Sequence, residues 1–272
     1  MIVSRLLRQR TWWLRAYGRI RGADSANRLP YNRPMPRLRS HAEWALTLGL
    51  LAGVRLAAQN LQPSFENDQV IVNAPHPGVE VPGSAHKMHD HKLNRVMVYF
   101  HDGGELLHYL DGRTVDLKWQ AGEVKWSPAS GFHYSEIPPA LDPRVWKTPA
   151  FSGPMGVDIG IKKAGDPAKA VGAALDTLRV DRADYKLEFE NSQVRVTRVR
   201  MSPRQSVPMH EHLLNRVIVY ITDANVRETS PEGNAVVIQH KAGDFSWDGP
   251  AKHKGENLND QPFEAVVVEL KS

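Results

Sequence analysis

The chain contains one short run twice. Met88–Tyr99 reads Met-His-Asp-His-Lys-Leu-Asn-Arg-Val-Met-Val-Tyr, and Met209–Tyr220 reads Met-His-Glu-His-Leu-Leu-Asn-Arg-Val-Ile-Val-Tyr, at an offset of 121 residues. Chance does not supply a repeat of this order, so the chain holds two copies of one folding unit. Other matches flank the run. Phe65-Glu66-Asn67-Asp68-Gln69-Val70 answers Phe189-Glu190-Asn191-Ser192-Gln193-Val194, and Ala121-Gly122-Glu123-Val124-Lys125-Trp126 answers Ala242-Gly243-Asp244-Phe245-Ser246-Trp247. Each copy then carries a further histidine, His133 or His253, and ends in an apolar alternating segment, Val157–Ile161 or Ala265–Leu270.

The segments between these landmarks are short, alternate with period 2 and break at Gly, Pro, Asn and Asp. Val194-Arg195-Val196-Thr197-Arg198-Val199 is one such alternation, and Asp102-Gly103-Gly104 and Asp223-Ala224-Asn225 read as turns. Many short strands with little helical periodicity predict an all-β sandwich or barrel. Only Pro167–Leu178 reads as a helix, a linker between the copies with Asp166 as its N-cap.

In a strand, residues i and i+2 face one side. His89 and His91 therefore project together, as do His210 and His212, while Asp90 and Glu211 point away. Two imidazoles on one strand, joined by His133 or His253 from another, suit a borderline divalent metal such as Fe, Mn, Zn, Ni or Cu. With no cysteine in the chain, thiolate ligands, disulfides and a cysteine nucleophile are excluded. No phosphate-binding glycine loop, nucleophile elbow or dinucleotide fingerprint is present.

Charge separates the ends of the chain. The formal net charge is +5, yet residues 1–40 hold ten arginines and one acid, contributing +9 and leaving −4 for residues 41–272. The basic character belongs to the N-terminal segment, so nucleic acid is not an expected partner. Residues 1–34 read as a basic extension outside the mature fold. Residues 35–58 run from a short basic stretch through the uncharged Trp44–Val54 to small residues near Ala58, which is the order of a secretory signal, although Arg55 and Leu56 fit its cleavage region poorly. The alternative is a basic arm with a short amphipathic helix on a surface. The apolar stretch is too short for a stable membrane span. The expected location is the periplasm or the exterior.

These motifs resemble those of the cupin superfamily, and their duplication resembles a two-domain cupin. Gly83, five residues and then His89-Asp90-His91 fit the opening of the family's first motif, with Arg204 at the glycine position in the second copy. Gly122, Pro128 and His133, and Gly243, His253 and Asn257, fit its second. The resemblance implies two tandem cupin-type (jelly-roll) β-barrels, at residues 61–165 and 180–272, joined by the helical linker 166–179. It also implies a three-histidine metal site in each, formed by His89, His91 and His133 and by His210, His212 and His253.

One departure matters. The glutamate ligand of the first motif falls on Arg95 and Arg216, and arginine cannot ligate a metal. Three readings stay open: a three-histidine centre whose arginine holds an anionic substrate in a bidentate fork, a pocket that binds a small anion without a metal, or arginines at the rim paired with acids such as Asp102 and Asp223. Tyr99 and Tyr220 are further candidates for substrate contact, against packing in core or rim. Trp126 and Trp247 read as core, Glu136 and Glu256 as solvated loop acids, and His86, His101, His108 and His240 as surface residues. The resemblance implies a metal-dependent dioxygenase or isomerase acting on a small polar or anionic molecule. The other functional class is a non-catalytic small-molecule-binding or structural protein with no metal. Self-association is an open partner option. Sequencing the N-terminus of the mature protein tests the signal reading: a start close to residue 59 is expected, and a start near Met1 overturns it.

Overall fold

Valine-rich segments that alternate with polar residues form strands because a pleated backbone sends successive side chains to opposite faces. The computed structural model describes residues 63–74, 88–136, 156–166, 168–169 and 173–272. The segments 1–34 and 35–58 and His86 lie outside the described residues.

The first repeat forms β1 (Phe65–Glu66), β2 (Val70–Asn73), β3 (His89–His91), β4 (Asn94–Tyr99), β5 (Gly103–Tyr109), β6 (Thr114–Trp119), β7 (Val124–Ser127), β8 (Ser130–Glu136) and β9 (Gly156–Ile161). After α1 (Thr177–Val180), the second forms β10 (Tyr185–Glu190), β11 (Val194–Met201), β12 (Ser206–His212), β13 (Arg216–Tyr220), β14 (Ala224–Thr229), β15 (Ala235–His240), β16 (Phe245–Asp248), β17 (Ala251–Asn257) and β18 (Phe263–Leu270). Each repeat is a two-layer antiparallel sandwich. The larger sheets run β1-β2-β9-β4-β7 and β10-β11-β18-β13-β16, and the smaller ones β3-β8-β5-β6 and β12-β17-β14-β15. Strand for strand, the two halves have one topology, that of a tandem jelly roll.

The two larger sheets share one core. Val70, Val72, Val96, Val98, Val157 and Ile159 of the first half cluster with Val194, Val196, Val217, Val219, Val266 and Val268 of the second, all fully buried. Phe65 stacks on Trp247 at 5.8 Å, and Trp126 meets Phe189 edge-on at 6.4 Å. The matched tryptophans are thus interface core. Polar residues of the repeat close the rim in a two-fold pattern: Asn94 Nδ2 donates to Gln193 Oε1 at 2.6 Å, and Asn215 Nδ2 donates to Gln69 Oε1 at 2.7 Å. Each half therefore meets the other through the same surface, as in an isologous dimer.

The expected linker helix does not form at its described residues before Thr177. Asp166 Oδ1 accepts from Ala168 N and its carbonyl from Lys169 N, making a turn, while Asp166 N donates to Lys271 O at 2.6 Å. Anchoring to the C-terminal strand overrides the local helical preference. A single helical turn follows, capped by Asp176, whose side chain accepts from Leu178 N at 3.0 Å.

Two motif positions need a left-handed backbone. Gly122 and Gly243 have φ of 79° and 95°. At the first-motif glycine position of the second copy, whose counterpart Gly83 lies outside the described residues, Arg204 is held at φ 58°, the one non-glycine residue with positive φ among those described. That conformation strains a residue with a Cβ by about 1 kcal/mol. Its exposed ion pair with Asp260, 2.8 Å, compensates little. Arg204→Gly is expected to raise stability by on the order of 0.5–1 kcal/mol, read as an upward shift of the urea midpoint. A downward shift would show that the ion pair outweighs the strain.

Candidate metal centre

Because alternate residues of β4 and β13 face the interface between the halves, Arg95, Met97 and Tyr99, and Arg216, Ile218 and Tyr220, must face the sandwich interiors. The histidines come from the opposite layer. His89 lies directly across from His133 on β8, and His210 from His253 on β17. A bulge after His89, and another before His210, adjusts the register of these strands. In both halves the ligand atoms of the three histidines lie within 4.8 Å of one another. The structure thus brings together all six histidines that the sequence singled out, in two groups.

The second group is the more enclosed. His210, His212 and His253 are all buried, and each ring has its Nδ1 engaged. His210 Nδ1 donates to Pro208 O at 2.9 Å, His212 Nδ1 lies 2.9 Å from Glu269 Oε1, and His253 Nδ1 lies 3.3 Å from Glu228 Oε2. A ring nitrogen bound to a carbonyl or carboxylate carries the proton, which leaves Nε2 with its lone pair. Burial lowers the His210 pKa to about 3, helped by the nearby His253 imidazole. Burial also lowers that of His212, against the opposing pull of Glu269. Both rings are therefore neutral at neutral pH, the state a metal requires.

Behind His212 the network continues. Glu269 Oε2 lies 3.7 Å from Arg195, which forks onto both carboxylate oxygens of Asp176. Burial disfavours the Asp176 carboxylate, but the Arg195 bonds and charge hold its pKa below the usual range. Glu228 faces the same chamber. Burial opposes its ionisation too, yet the His253 bond, with Arg216 nearby, keeps its pKa low. The phenol of Tyr185 on β10 lies 3.2 Å from His210 Nε2. Tyr185, Glu228, Arg216 and the three histidines line a chamber of about 60 Å³, walled by apolar residues such as Met201, Val226 and Phe263. A few water-sized groups fill that volume.

The first group is more open. His89 and His91 are half-buried and His133 buried. His133 Nδ1 donates to Gly131 O at 2.8 Å, and the Nε2 atoms of His89 and His91 stand 3.1 Å apart. Burial lowers the His91 pKa to about 3, with Arg95 and the neighbouring rings contributing. The carboxylates of the second half have no counterparts here. Gly160 stands across from Arg95 where Glu269 stands across from Arg216, and Leu107 occupies the place of Glu228. A Cβ on Gly160 would come within 2.8 Å of Ile71 Cγ2, so an acid there would require Ile71 to move.

The arginines point inward, not to the rim. Arg95 donates to Asp158 at 2.9 Å and to Ser127 at 3.0 Å. Arg216 donates to Gly249 O and lies 3.6 Å from Asp248. Asp102 and Asp223, the acids considered as partners, instead accept from Ala121 N and Ala242 N and close turns. Tyr99 stacks on Trp119 at 4.4 Å; Tyr220 stacks on His240 at 4.1 Å and its hydroxyl lies 3.2 Å from Ser246 Oγ. Both tyrosines have packing partners inside the fold, and Tyr220 also lines the second chamber. Glu136 pairs with His108 and Glu256 with Arg227.

Tyr185, Glu228, Glu269 and the Arg195–Asp176 pair escaped sequence reasoning because each occurs in one copy only, and duplication was the guide. Their one signal was parity: Arg195 and Glu269 interrupt strands whose neighbours are valine.

No protein-family model matches the chain, and no curated protein matches it. Among solved structures it is similar to a cupin domain from Bordetella pertussis Tohama I, at 27% identity over 32% of this chain and 92% of that one, with a TM-score of 0.31. It is similar to AerE from Microcystis aeruginosa, at 14% identity over 76% and 89%, with a TM-score of 0.47. It is also similar to the oxalate decarboxylase of Bacillus subtilis, a protein with Mn(II) centres, at 12% identity over 75% and 69%, with a TM-score of 0.47. The sheet order and register described above give each half the same two-layer jelly-roll arrangement, with a three-histidine group in each.

Partners of this kind orient the ligands they bond, and their loss commonly costs about 10–100-fold in metal affinity. Glu269→Gln is expected to weaken Zn(II) binding by the second group by about that factor, with the unfolding midpoint of the metal-free protein changed far less. Equal affinities in competition with a chromophoric chelator would show that Glu269 serves the fold alone.

Proposed function

We propose that the protein binds a divalent transition metal in its second jelly roll, through Nε2 of His210, His212 and His253, and presents it to a small polar or anionic molecule. The observation that carries this reading is the engagement of all three Nδ1 atoms, by Pro208 O, Glu269 and Glu228. It leaves Nε2 of each ring for a metal, and the ligand atoms of the three rings lie within 4.8 Å of one another. Three imidazoles suit Zn, Cu, Fe or Ni and leave coordination positions open. A metal so bound supplies Lewis-acid chemistry or a site for dioxygen, which accords with a dioxygenase or isomerase.

The chain's own residues would do the rest. Arg216 sets a fixed positive charge in the chamber wall, favouring an anion. Glu228 supplies a carboxylate within the chamber. The apolar walls exclude water and sharpen these charges. With about 60 Å³ available, the group that reaches the metal is small. In the first jelly roll the more open histidines and the absent carboxylates support weaker binding.

Elemental analysis of the full chain after loading with Mn, Fe, Ni, Cu or Zn tests this reading. His89→Ala is expected to keep the tightly held metal and His210→Ala to lose it. No metal under any loading, or a loss confined to His89→Ala, overturns the proposal.

A further inference from the structure

Resting on that reading, the geometry points to Tyr185 as the fourth protein ligand of the second site, its phenolate oxygen standing in for the carboxylate displaced by Arg216. His210 Nδ1 is committed to Pro208 O as a donor, so Nε2 carries only its lone pair. The Tyr185 hydroxyl, 3.2 Å from that nitrogen, must be the donor of the bond between them. Its proton therefore occupies the side of the imidazole that a metal would use. Two ligands on one ion, each at about 2.1 Å, stand roughly 3.0 Å apart at octahedral angles and roughly 3.4 Å apart at tetrahedral ones. The observed separation lies between these values, so both atoms can reach one ion without displacement of either strand.

Tyr185 is 6% exposed and enters from the larger sheet, pairing with Val199, whereas the histidines come from the smaller one. Its ring packs at 5.3 Å from that of His210, so oxygen and imidazole are held together. Charge also favours an anionic ligand. With Arg216 in the chamber wall and Glu228 engaged by His253, the charge of a divalent cation among three imidazoles is only partly compensated. Glu269 sits behind His212, and Glu228 in the chamber wall is engaged by His253, each through the ring Nδ1. A phenolate on the metal adds negative charge directly at the ion. On binding, the O–metal bond forms, the O–H bond breaks and its proton leaves to solvent; no oxidation state changes. Aligning the repeats on Phe65 and Phe189 puts Leu61 opposite Tyr185, so the first copy has no tyrosine at that position.

The test uses the full chain with His89→Ala and His91→Ala, which silences the first site, loaded with Cu(II). A phenolate on Cu(II) gives an intense visible charge-transfer band and resonance-enhanced phenolate vibrations. Both are expected here, and both are expected to vanish in Tyr185→Phe. That variant should still take up Cu(II) through three histidines, about tenfold or more weakly. Bound copper without the band, a band that survives Tyr185→Phe, or tighter binding in Tyr185→Phe overturns the inference and leaves the three-histidine reading standing. No copper bound to the starting protein overturns both.

Discussion

The apolar seam between the two larger sheets governs the rest of the molecule. Val96 and Val98 face Val217 and Val219 across one shared core, and each fully buried valine contributes on the order of 1.5–3 kcal/mol. Because side chains alternate along a strand, seating these valines in the seam forces their neighbours into the two interiors. Arg95 and Arg216 face the histidines for that reason. A slip of one residue would put guanidinium groups into the seam and valines into the metal chamber. The seam that holds the halves together thereby also fixes the register of both sites. The Asn94–Gln193 and Asn215–Gln69 bonds lock that register at the rim.

Much of this was legible in the sequence because the duplication could be read twice. Strand parity alone pairs His89 with His91 and His210 with His212, whereas the run around Arg95 and Arg216 allows either a pocket or a rim position. Other features depend on partners far apart in the chain. Arg95 finds Asp158, 63 residues away, and Arg216 finds Asp248, 32 residues on; the nearer acids, Asp102 and Asp223, close turns instead. The repeated Asn and Gln were visible as repeats, yet their role became apparent only when the halves met. The linker shows the opposite case, a local pattern that read as a helix and gave way to a tertiary bond from Asp166 to Lys271.

Duplication preserved the scaffold and let the chemistry diverge. Glu269 is answered by Gly160, Glu228 by Leu107 and Arg195 by Ile71, while every strand keeps its neighbours. The changes are concerted. A Cβ at position 160 would meet Ile71 Cγ2 at 2.8 Å, whereas in the second half the matching position holds Arg195, whose guanidinium lies 3.7 Å from Glu269.

The second interior is expensive for a structural core. Three histidines, a tyrosine hydroxyl, two glutamates and two arginines occupy space that valines could fill, and the Nε atoms of Arg195 and Arg216 are buried with no hydrogen-bond partner among the described residues. Replacing buried ion pairs by apolar residues of like volume is often neutral or stabilising, so stability alone does not account for this network. The first interior makes the comparison internal. On the same strands it substitutes glycine, leucine and isoleucine for two acids and an arginine and keeps the fold. What the polar network adds is fixed orientation: each imidazole of the second group is held from behind, by backbone or carboxylate, and a ring so held can be useful to an ion at its other nitrogen.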